Sequence, residues 1–131
     1  MIVLDTHALL WWINDPTALS AAAKSVIDEA ISSRTVYVSC ITSWEIALLV
    51  ERGRLQLSLD VRDWLHRCES LPFVRFVPVD NAIAVESVRL PNFSQSDPAN
   101  RIIVATALSL GAILVTKDEK LRSYSYLRTV W

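Results

Sequence analysis

Five polar residues, four of them carboxylic acids, occur where short apolar runs end or where helices are predicted to begin. They are Asp5, Glu45, Asp97, Asn100 and Asp118. Oxygen ligands without nearby histidine or thiolate partners suit a hard ion such as Mg²⁺ or Mn²⁺ better than zinc. Carboxylates that converge would repel one another and raise one another's pKa unless a cation sat among them. Such an ion would activate water and neutralise charge on a phosphodiester.

Each acid also has a structural interpretation. Asp5 ends an apolar run and is placed to cap the helix that follows. Glu45 follows Thr42 by three positions, the spacing of a capping box that opens a helix. Asp97 precedes Pro98, which is the pattern of an N-cap followed by proline in the first helical turn. Asp118 is compatible with an ordinary turn. Capping and metal contact therefore both remain open for single residues, and their collective placement is what predicts a site.

The elements that would position these residues alternate between strands and helices. Residues 2–4 are a continuous apolar run, which is typical of a strand buried on both faces. The apolar patterns predict further strands over 36–39, 76–79, 113–115 and 127–130. They predict helices over 7–12, 21–31, 82–88 and 97–111. Three more helices are predicted: one that opens with the capping box at 42–45 and continues through 49, one around 64–65 that follows Asp60, and a short one near 120.

Strands separated by helices imply a mainly parallel central sheet flanked by helices on both faces, an α/β fold. No repeat, low-complexity tract or Pro/Gly linker divides the chain, so we expect a single domain over residues 1–131. Ligands of such sheets collect outside the carboxyl ends of the strands. The five polar residues above fall at that edge, although they are far apart in sequence.

The charge balance limits how the chain would hold nucleic acid. Thirteen Lys and Arg against fourteen Asp and Glu give a formal net charge of −1, which excludes binding by bulk positive charge. A local basic patch is needed, and such binding would weaken as salt rises. Each candidate is also explained as a solvated surface charge. The candidates are Arg52, Arg54, Arg101, Lys117, Lys120 and Arg122.

The sequence indicates a protein of the cytoplasm with no membrane association. Met1 leads directly into the first apolar run, with no basic segment typical of a secretory signal. The uncharged run over 102–115 is shorter than the roughly 20 residues that span a bilayer. The two cysteines show neither a CxxC spacing nor a disulfide framework, as expected in a reducing compartment.

Histidine and tryptophan are expected to serve structure. His7 has no second histidine at a metal-ligand spacing, so we expect it to contribute to helix packing or a local hydrogen bond. The tryptophans at helical positions, Trp11, Trp12, Trp44 and Trp64, are expected mostly in the core. The adjacent Trp11 and Trp12 cannot both face one way, so one of that pair is a candidate for a subunit or partner contact. No glycine-rich phosphate-binding loop occurs, so nucleotide-cofactor chemistry has no support.

Four segments resemble the VapC-type toxins of the PIN-domain family. They are residues 1–11 (MIVLDTHALLW), 43–46 (SWEI), 96–107 (SDPANRIIVATA) and 114–118 (LVTKD). The match spans nearly the whole chain in the family's order, which makes it specific. It implies a Mg²⁺-dependent (or Mn²⁺-dependent) endoribonuclease that acts as the toxin of a toxin–antitoxin pair. It also implies homodimers and a VapB-type antitoxin whose tail blocks the acidic pocket.

The resemblance assigns roles residue by residue. Asp5, Glu45 and Asp118 fall on the family's metal-site acids, and Thr6 and Thr116 fall where small hydroxyls support them. One or two ions would be held there, with activated water attacking phosphorus in line and leaving 5′-phosphate and 3′-hydroxyl ends. The family's RNA substrates include transfer and ribosomal RNA, and nothing in the sequence selects between them.

One position departs from the family pattern. The third motif usually reads Asp-Pro-x-Asp-Arg, and here its second acid is replaced by Asn100. An amide offers a neutral carbonyl ligand but carries no charge and cannot act as a base. The hypothesis is a weakened nuclease. One alternative is an inactive PIN domain that only binds antitoxin or RNA. Another is a phosphatase with Asp5 as nucleophile beside Lys117, which the absence of an Asp-x-Asp motif disfavours.

Overall fold

The fold is built on five short strands that all run parallel. In this computed structural model, which describes all 131 residues, they form one sheet in the order β3-β2-β1-β4-β5. The strands are β1 (Ile2–Leu4), β2 (Val36–Ser39), β3 (Val74–Val77), β4 (Ile113–Val115) and β5 (Thr129–Val130). The predicted parallel sheet is confirmed.

Seven helices connect the strands. They are α1 (Thr6–Asn14), α2 (Ala21–Ser33), α3 (Cys40–Glu51), α4 (Val61–Glu69), α5 (Asn81–Val88), α6 (Pro98–Leu110) and α7 (Glu119–Arg122). The predicted N-cap Asp97 is observed on α6, and Asp60 and Asp80 cap α4 and α5. Gly111 ends α6 at φ +63°, a left-handed conformation that glycine adopts without steric cost. None of the helices has the length and apolar character needed to cross a membrane.

Two local predictions were wrong. The capping box of Thr42 and Glu45 is not formed, because α3 begins at Cys40 and Ser39 is its N-cap, accepting from the Ile41 N–H at 3.2 Å. Strand β2 passes directly into α3, so Glu45 lies in the second helical turn rather than the first. The third strand covers 74–77 instead of 76–79, since it ends before Pro78, which cannot donate to a strand ladder.

The core lies on both faces of the sheet because neighbouring strand residues point to opposite sides. Ile2 and Leu4 join a cluster with the helices preceding β3, which includes Ile46 of α3 and Trp64 of α4. Val3 belongs to the opposite cluster with residues of α5, α6 and α7. The predicted helical layers on both faces are confirmed.

The order of the strands creates a crevice at the carboxyl end of β1. The chain builds outward from β1 to β2 and β3 on one side, and adds β4 and β5 on the other. Open parallel sheets bind ligands where the connections diverge in this way. Leu4 lies level with Val115 of β4, and the Asp5 N–H donates to the Val115 carbonyl at 3.2 Å. The residues following β1 and β4 therefore meet at this crevice.

Candidate active site

All five polar residues singled out in the sequence line one cleft at this crevice. The cleft has a volume of about 490 Å³. Its lining consists of Asp5, Thr6, His7, Trp11, Glu45, Asp97, Asn100, Lys117 and Asp118. Residues from opposite ends of the sequence thus share one surface, because the strands and helices that carry them all end or begin at the same edge of the sheet.

Asp5 is the most enclosed of the acids. It is 8% exposed and caps α1, with its Oδ1 accepting from the Ala8 N–H at 2.8 Å. Burial raises the pKa of its carboxyl, while hydrogen bonds from Thr116 and Ala8 act in the opposite direction. The nearby charge of Asp118 raises the pKa further. A cation beside Asp5 would relieve the cost of burying this charge.

Glu45 reaches the cleft from the second turn of α3. The Thr6 hydroxyl donates to its Oε1 at 2.5 Å, and the Thr6 and Thr42 hydroxyls are 3.0 Å apart. Burial raises the pKa of Glu45, the Thr6 hydrogen bond lowers it, and the charges of Asp97 and Asp5 raise it. Thr42, which was expected to cap the helix, instead contacts the hydroxyl that orients Glu45.

Asp97 and Asp118 cap helices and face the cleft at the same time. Asp97 Oδ1 accepts from the N–H groups of Ala99 and Asn100 at 2.9 and 3.2 Å. Asp118 Oδ1 accepts from Lys120 and Leu121 at 2.8 and 3.2 Å. Neither Oδ2 makes a hydrogen bond within the chain. The two interpretations left open by the sequence are therefore compatible, since one oxygen caps and the other is free to take a ligand.

Asn100 is tied to the loop that precedes α6. Its Nδ2 donates to the Oε1 of Gln95 at 3.0 Å, and the Nε2 of Gln95 is buried without a partner. Buried donors are normally paired, so this Nε2 lacks the acceptor that it would be expected to have. A carboxylate at position 100 would accept a hydrogen bond from the Gln95 Nε2 if the side-chain amide of Gln95 rotated by 180°. The loop also borders a second groove of about 900 Å³ that shares Asp97, Asn100 and Asp118 with the cleft.

The six basic candidates are not gathered together. Lys117 lines the cleft, and Lys120 lines the adjoining groove. Arg122 is exposed on α7 but lines neither. Arg52 and Arg54 lie at the far end of α3, since Arg52 is seven residues, or about 10 Å, beyond Glu45 along the helix.

Arg101 has internal partners instead of facing the cleft. Its guanidinium donates to the carbonyls of Gln95, Ser87 and Phe93 at 2.6, 3.0 and 3.0 Å. It also lies 5.2 Å from the centre of the Phe93 ring. Arg101 therefore fastens the loop before α6 to α5, and its contact with RNA stays a prediction.

Two residues of the cleft were assigned to structure from the sequence. His7 is exposed, and its charge lowers the pKa of both Asp5 and Glu45, so it lies near both acids. Trp11 is half-buried and also lines the cleft. Their spacing of four residues on the helix after Asp5 was the available signal, because residues i and i+4 share one helix face.

The donor set fits a hard divalent ion. No three His, Cys, Asp or Glu side chains are placed closely enough to form a metal cage. Mg²⁺, however, commonly keeps several waters and binds through only one or two carboxylates. The cleft offers carboxylate, hydroxyl and amide oxygens, one imidazole from His7 and no sulfur, with acids close enough to raise one another's pKa. These residues therefore match Mg²⁺ or Mn²⁺ in chemistry.

Comparisons with known proteins identify the family of the chain. The family profile described as PIN domain matches residues 2–126. Ribonuclease VapC22 of Mycobacterium tuberculosis (strain ATCC 25618 / H37Rv) is 39% identical over 132 positions, covering 99% of this chain and 98% of that protein.

Two solved structures share the fold. FitAcB from Neisseria gonorrhoeae has a TM-score of 0.70 at 24% identity and covers 100% of this chain and 97% of its own. A toxin–antitoxin complex from Klebsiella pneumoniae has a TM-score of 0.65 at 18% identity, with coverages of 100% and 97%. The resemblance inferred from the sequence is confirmed, and the chain belongs to the PIN domain family.

Proposed function

We propose that this protein is a divalent-metal-dependent endoribonuclease and the toxin of a VapBC-type toxin–antitoxin system. The observation that carries the proposal is the convergence of four carboxylates in one cleft of a chain that is 39% identical to a ribonuclease over nearly its whole length. A dense group of acids at the strand ends has little structural purpose beyond capping, and it repels the phosphate of RNA unless a cation neutralises it.

Asp5, Glu45 and Asp118 would hold the ion, with Asn100 as a neutral and weaker ligand. When bound, Mg²⁺ or Mn²⁺ would supply the Lewis acidity that activates water and neutralises charge on the phosphodiester. The free Oδ2 of Asp97 gives a further acidic oxygen at the same edge.

The protein's own residues prepare this site. Thr6 holds Glu45 in place by its hydrogen bond to Oε1, and the Ala8 N–H and Thr116 hold the buried Asp5. These contacts fix the acids before substrate arrives, which avoids the cost of ordering them during the reaction. Lys117, which lines the same cleft, would supply a positive charge for an RNA phosphate.

Asn100 is expected to weaken catalysis, because it removes one negative charge from the group that holds the ion. The test compares Mg²⁺-dependent RNA cleavage by the natural chain, Asn100→Asp and Asp5→Ala, each with an EDTA control. We expect Asn100→Asp to be the fastest, Asp5→Ala to be inactive, and the products to carry 5′-phosphate and 3′-hydroxyl ends.

Two results would contradict these statements separately. Equal cleavage by the natural chain and Asn100→Asp would overturn the weakening attributed to the amide. An absence of RNA cleavage by both, in properly folded protein with Mg²⁺ or Mn²⁺, would overturn the nuclease proposal. Binding of antitoxin or RNA in that case would favour the binding-only alternative, which the neutral residue at position 100 also permits.

We further propose a VapB-type antitoxin as partner, a homodimer as the assembly, and a cytoplasmic location. Support for the partner comes from the toxin–antitoxin complex that shares this fold. Apolar surface for a protein contact is present on α5, where Val85 and Val88 are 45% and 77% exposed. Sedimentation of the isolated protein should give twice the monomer mass. If α5 forms the dimer contact, Val88→Asp should shift the measured mass towards that of the monomer.

A further inference from the structure

A row of aromatic rings borders the acidic cleft. The ring of Trp11 lies 5.6 Å from that of His7 and 5.4 Å from that of Trp131, and all three rings are tilted relative to their neighbours. The Nζ of Lys117 lies over the Trp11 ring at 5.8 Å from its centre. We call His7, Trp11 and Trp131 the aromatic row.

Trp11 is not accounted for by core packing. It belongs to neither buried cluster, whereas its neighbour Trp12 packs into the core against Phe73, with ring centres 6.0 Å apart. Trp11 remains half-buried, and it is the one apolar side chain among the acids and polar groups of the cleft. An indole left partly exposed beside carboxylates keeps apolar surface in water, which a ligand ring would cover.

The position of the row relative to the acids suits a nucleotide. His7 and Trp11 lie one helical turn apart on α1, which begins directly after Asp5. Both rings line the same cleft as Asp5 and Glu45. A nucleotide whose phosphate lies at the acids would thus have an aromatic ring beside it, and its base could reach that ring.

We propose that Trp11 stacks a base of single-stranded RNA next to the phosphate held at the acidic cleft. Unpaired bases commonly stack on aromatic side chains, and this stacking tolerates any base because every base has a π-face. Lys117 is exposed and flexible, so its ammonium can leave the indole face and bind a neighbouring phosphate. This deepens the proposed ribonuclease function, on which it rests, and names the residue that would hold a base of the RNA.

The test measures binding in Ca²⁺, a hard oxygen-binding cation that would neutralise the acids in place of Mg²⁺, by fluorescence polarisation of labelled oligonucleotides of equal length, with a gel showing that the oligonucleotides stay intact. One strand is oligoadenylate, and the other has the same ribose-phosphate backbone without bases. Trp11→Leu should bind oligoadenylate roughly 5- to 150-fold more weakly and leave binding of the abasic strand unchanged. Trp11→Phe, which keeps an aromatic face, should retain most of the affinity.

Trp44→Leu is the matched control, because Trp44 is 56% exposed next to Glu45 but does not line the cleft. It should bind both strands as the natural chain does. Circular dichroism establishes whether each variant is folded. If Trp11→Leu is unstable, Trp11→Phe still decides the question. A well-folded Trp11→Phe that no longer prefers oligoadenylate over the abasic strand would count against stacking.

The outcomes separate this inference from the nuclease proposal. Equal affinity of Trp11→Leu and the natural chain for oligoadenylate, or an equal loss on both strands, overturns the stacking role, as would be found if Trp11 only contacted a protein partner. Stacking is also overturned if the natural chain binds neither strand. Base-dependent binding through Trp11 without any metal-dependent cleavage would support stacking and refute the nuclease.

Discussion

Replacement of Arg101 by alanine tests whether this residue fastens the loop before α6 or contacts RNA. The guanidinium makes three hydrogen bonds to backbone carbonyls, those of Gln95, Ser87 and Phe93, at 2.6–3.0 Å. Hydrogen bonds that involve a charged group contribute about 1.5–3 kcal/mol each when buried. Their simple sum of about 4.5–9 kcal/mol is an upper limit, because Arg101 is half-buried and water would reach the released carbonyls.

Allowing about half of that sum for solvation leaves an expected loss of roughly 2–4 kcal/mol in the free energy of unfolding. The contact with the Phe93 ring adds about 0.5–1 kcal/mol at most. Arg101→Lys should lose a large part of the same stability, since an ammonium cannot span three carbonyls with a planar fork.

Urea unfolding followed by circular dichroism measures the loss, with Arg122→Ala as a control because Arg122 is exposed on α7. The control should change stability by less than about 0.5 kcal/mol. A loss below about 0.5 kcal/mol in Arg101→Ala would refute the structural role. If RNA affinity and its salt dependence then fell as well, Arg101 would be an RNA contact, as its sequence position suggested.

Two further predictions concern the cleft. Burial raises the Asp5 pKa above its ordinary 3.8. Between the ordinary pKa and the raised pKa, the folded state therefore binds more protons than the unfolded chain. The free energy of unfolding consequently falls as pH rises through that range. Asp5→Asn, which can still cap α1, should therefore raise the free energy of unfolding at pH 7 by about 0.5–2 kcal/mol, measured by thermal unfolding. This gain should shrink towards pH 4, and a gain independent of pH would contradict the prediction. A plot of log affinity for single-stranded RNA against log salt concentration has a negative slope. Lys117→Gln should make this slope shallower by about 0.7, and an unchanged slope would show that Lys117 does not contact a phosphate.

Much of the architecture could be predicted because local signals agreed with the global fold. The apolar run before Asp5, the Asp97-Pro98 start of α6 and its Gly111 end each specify an element boundary by themselves. Once the strands were known to be parallel, their carboxyl ends had to lie at one edge. The convergence of the acids followed from topology and needed no knowledge of side-chain contacts.

The errors arose where a local pattern had two explanations. Thr42 and Glu45 fit a capping box, but β2 leads into α3 without a loop, and the two side chains contact Thr6 instead. The sequence did not reveal the internal partners of Arg101, because Gln95 and Phe93 lie in a loop and Ser87 lies in α5, six to fourteen residues away. Trp11 looked like core because periodicity does not reveal which of two adjacent tryptophans faces a cleft.

The central claim is that oxygen ligands from distant segments seat a hard divalent ion in one cleft. Titration of the folded protein with Mn²⁺, followed by electron paramagnetic resonance of the free ion, tests it without relying on catalysis. The natural chain should bind one or two ions, and Asp5→Asn and Asp118→Asn should each bind them more weakly, whereas Asp28→Asn, on the exposed surface of α2, should not differ. Failure of the natural chain to bind Mn²⁺, or equal binding by all four proteins, would contradict the account.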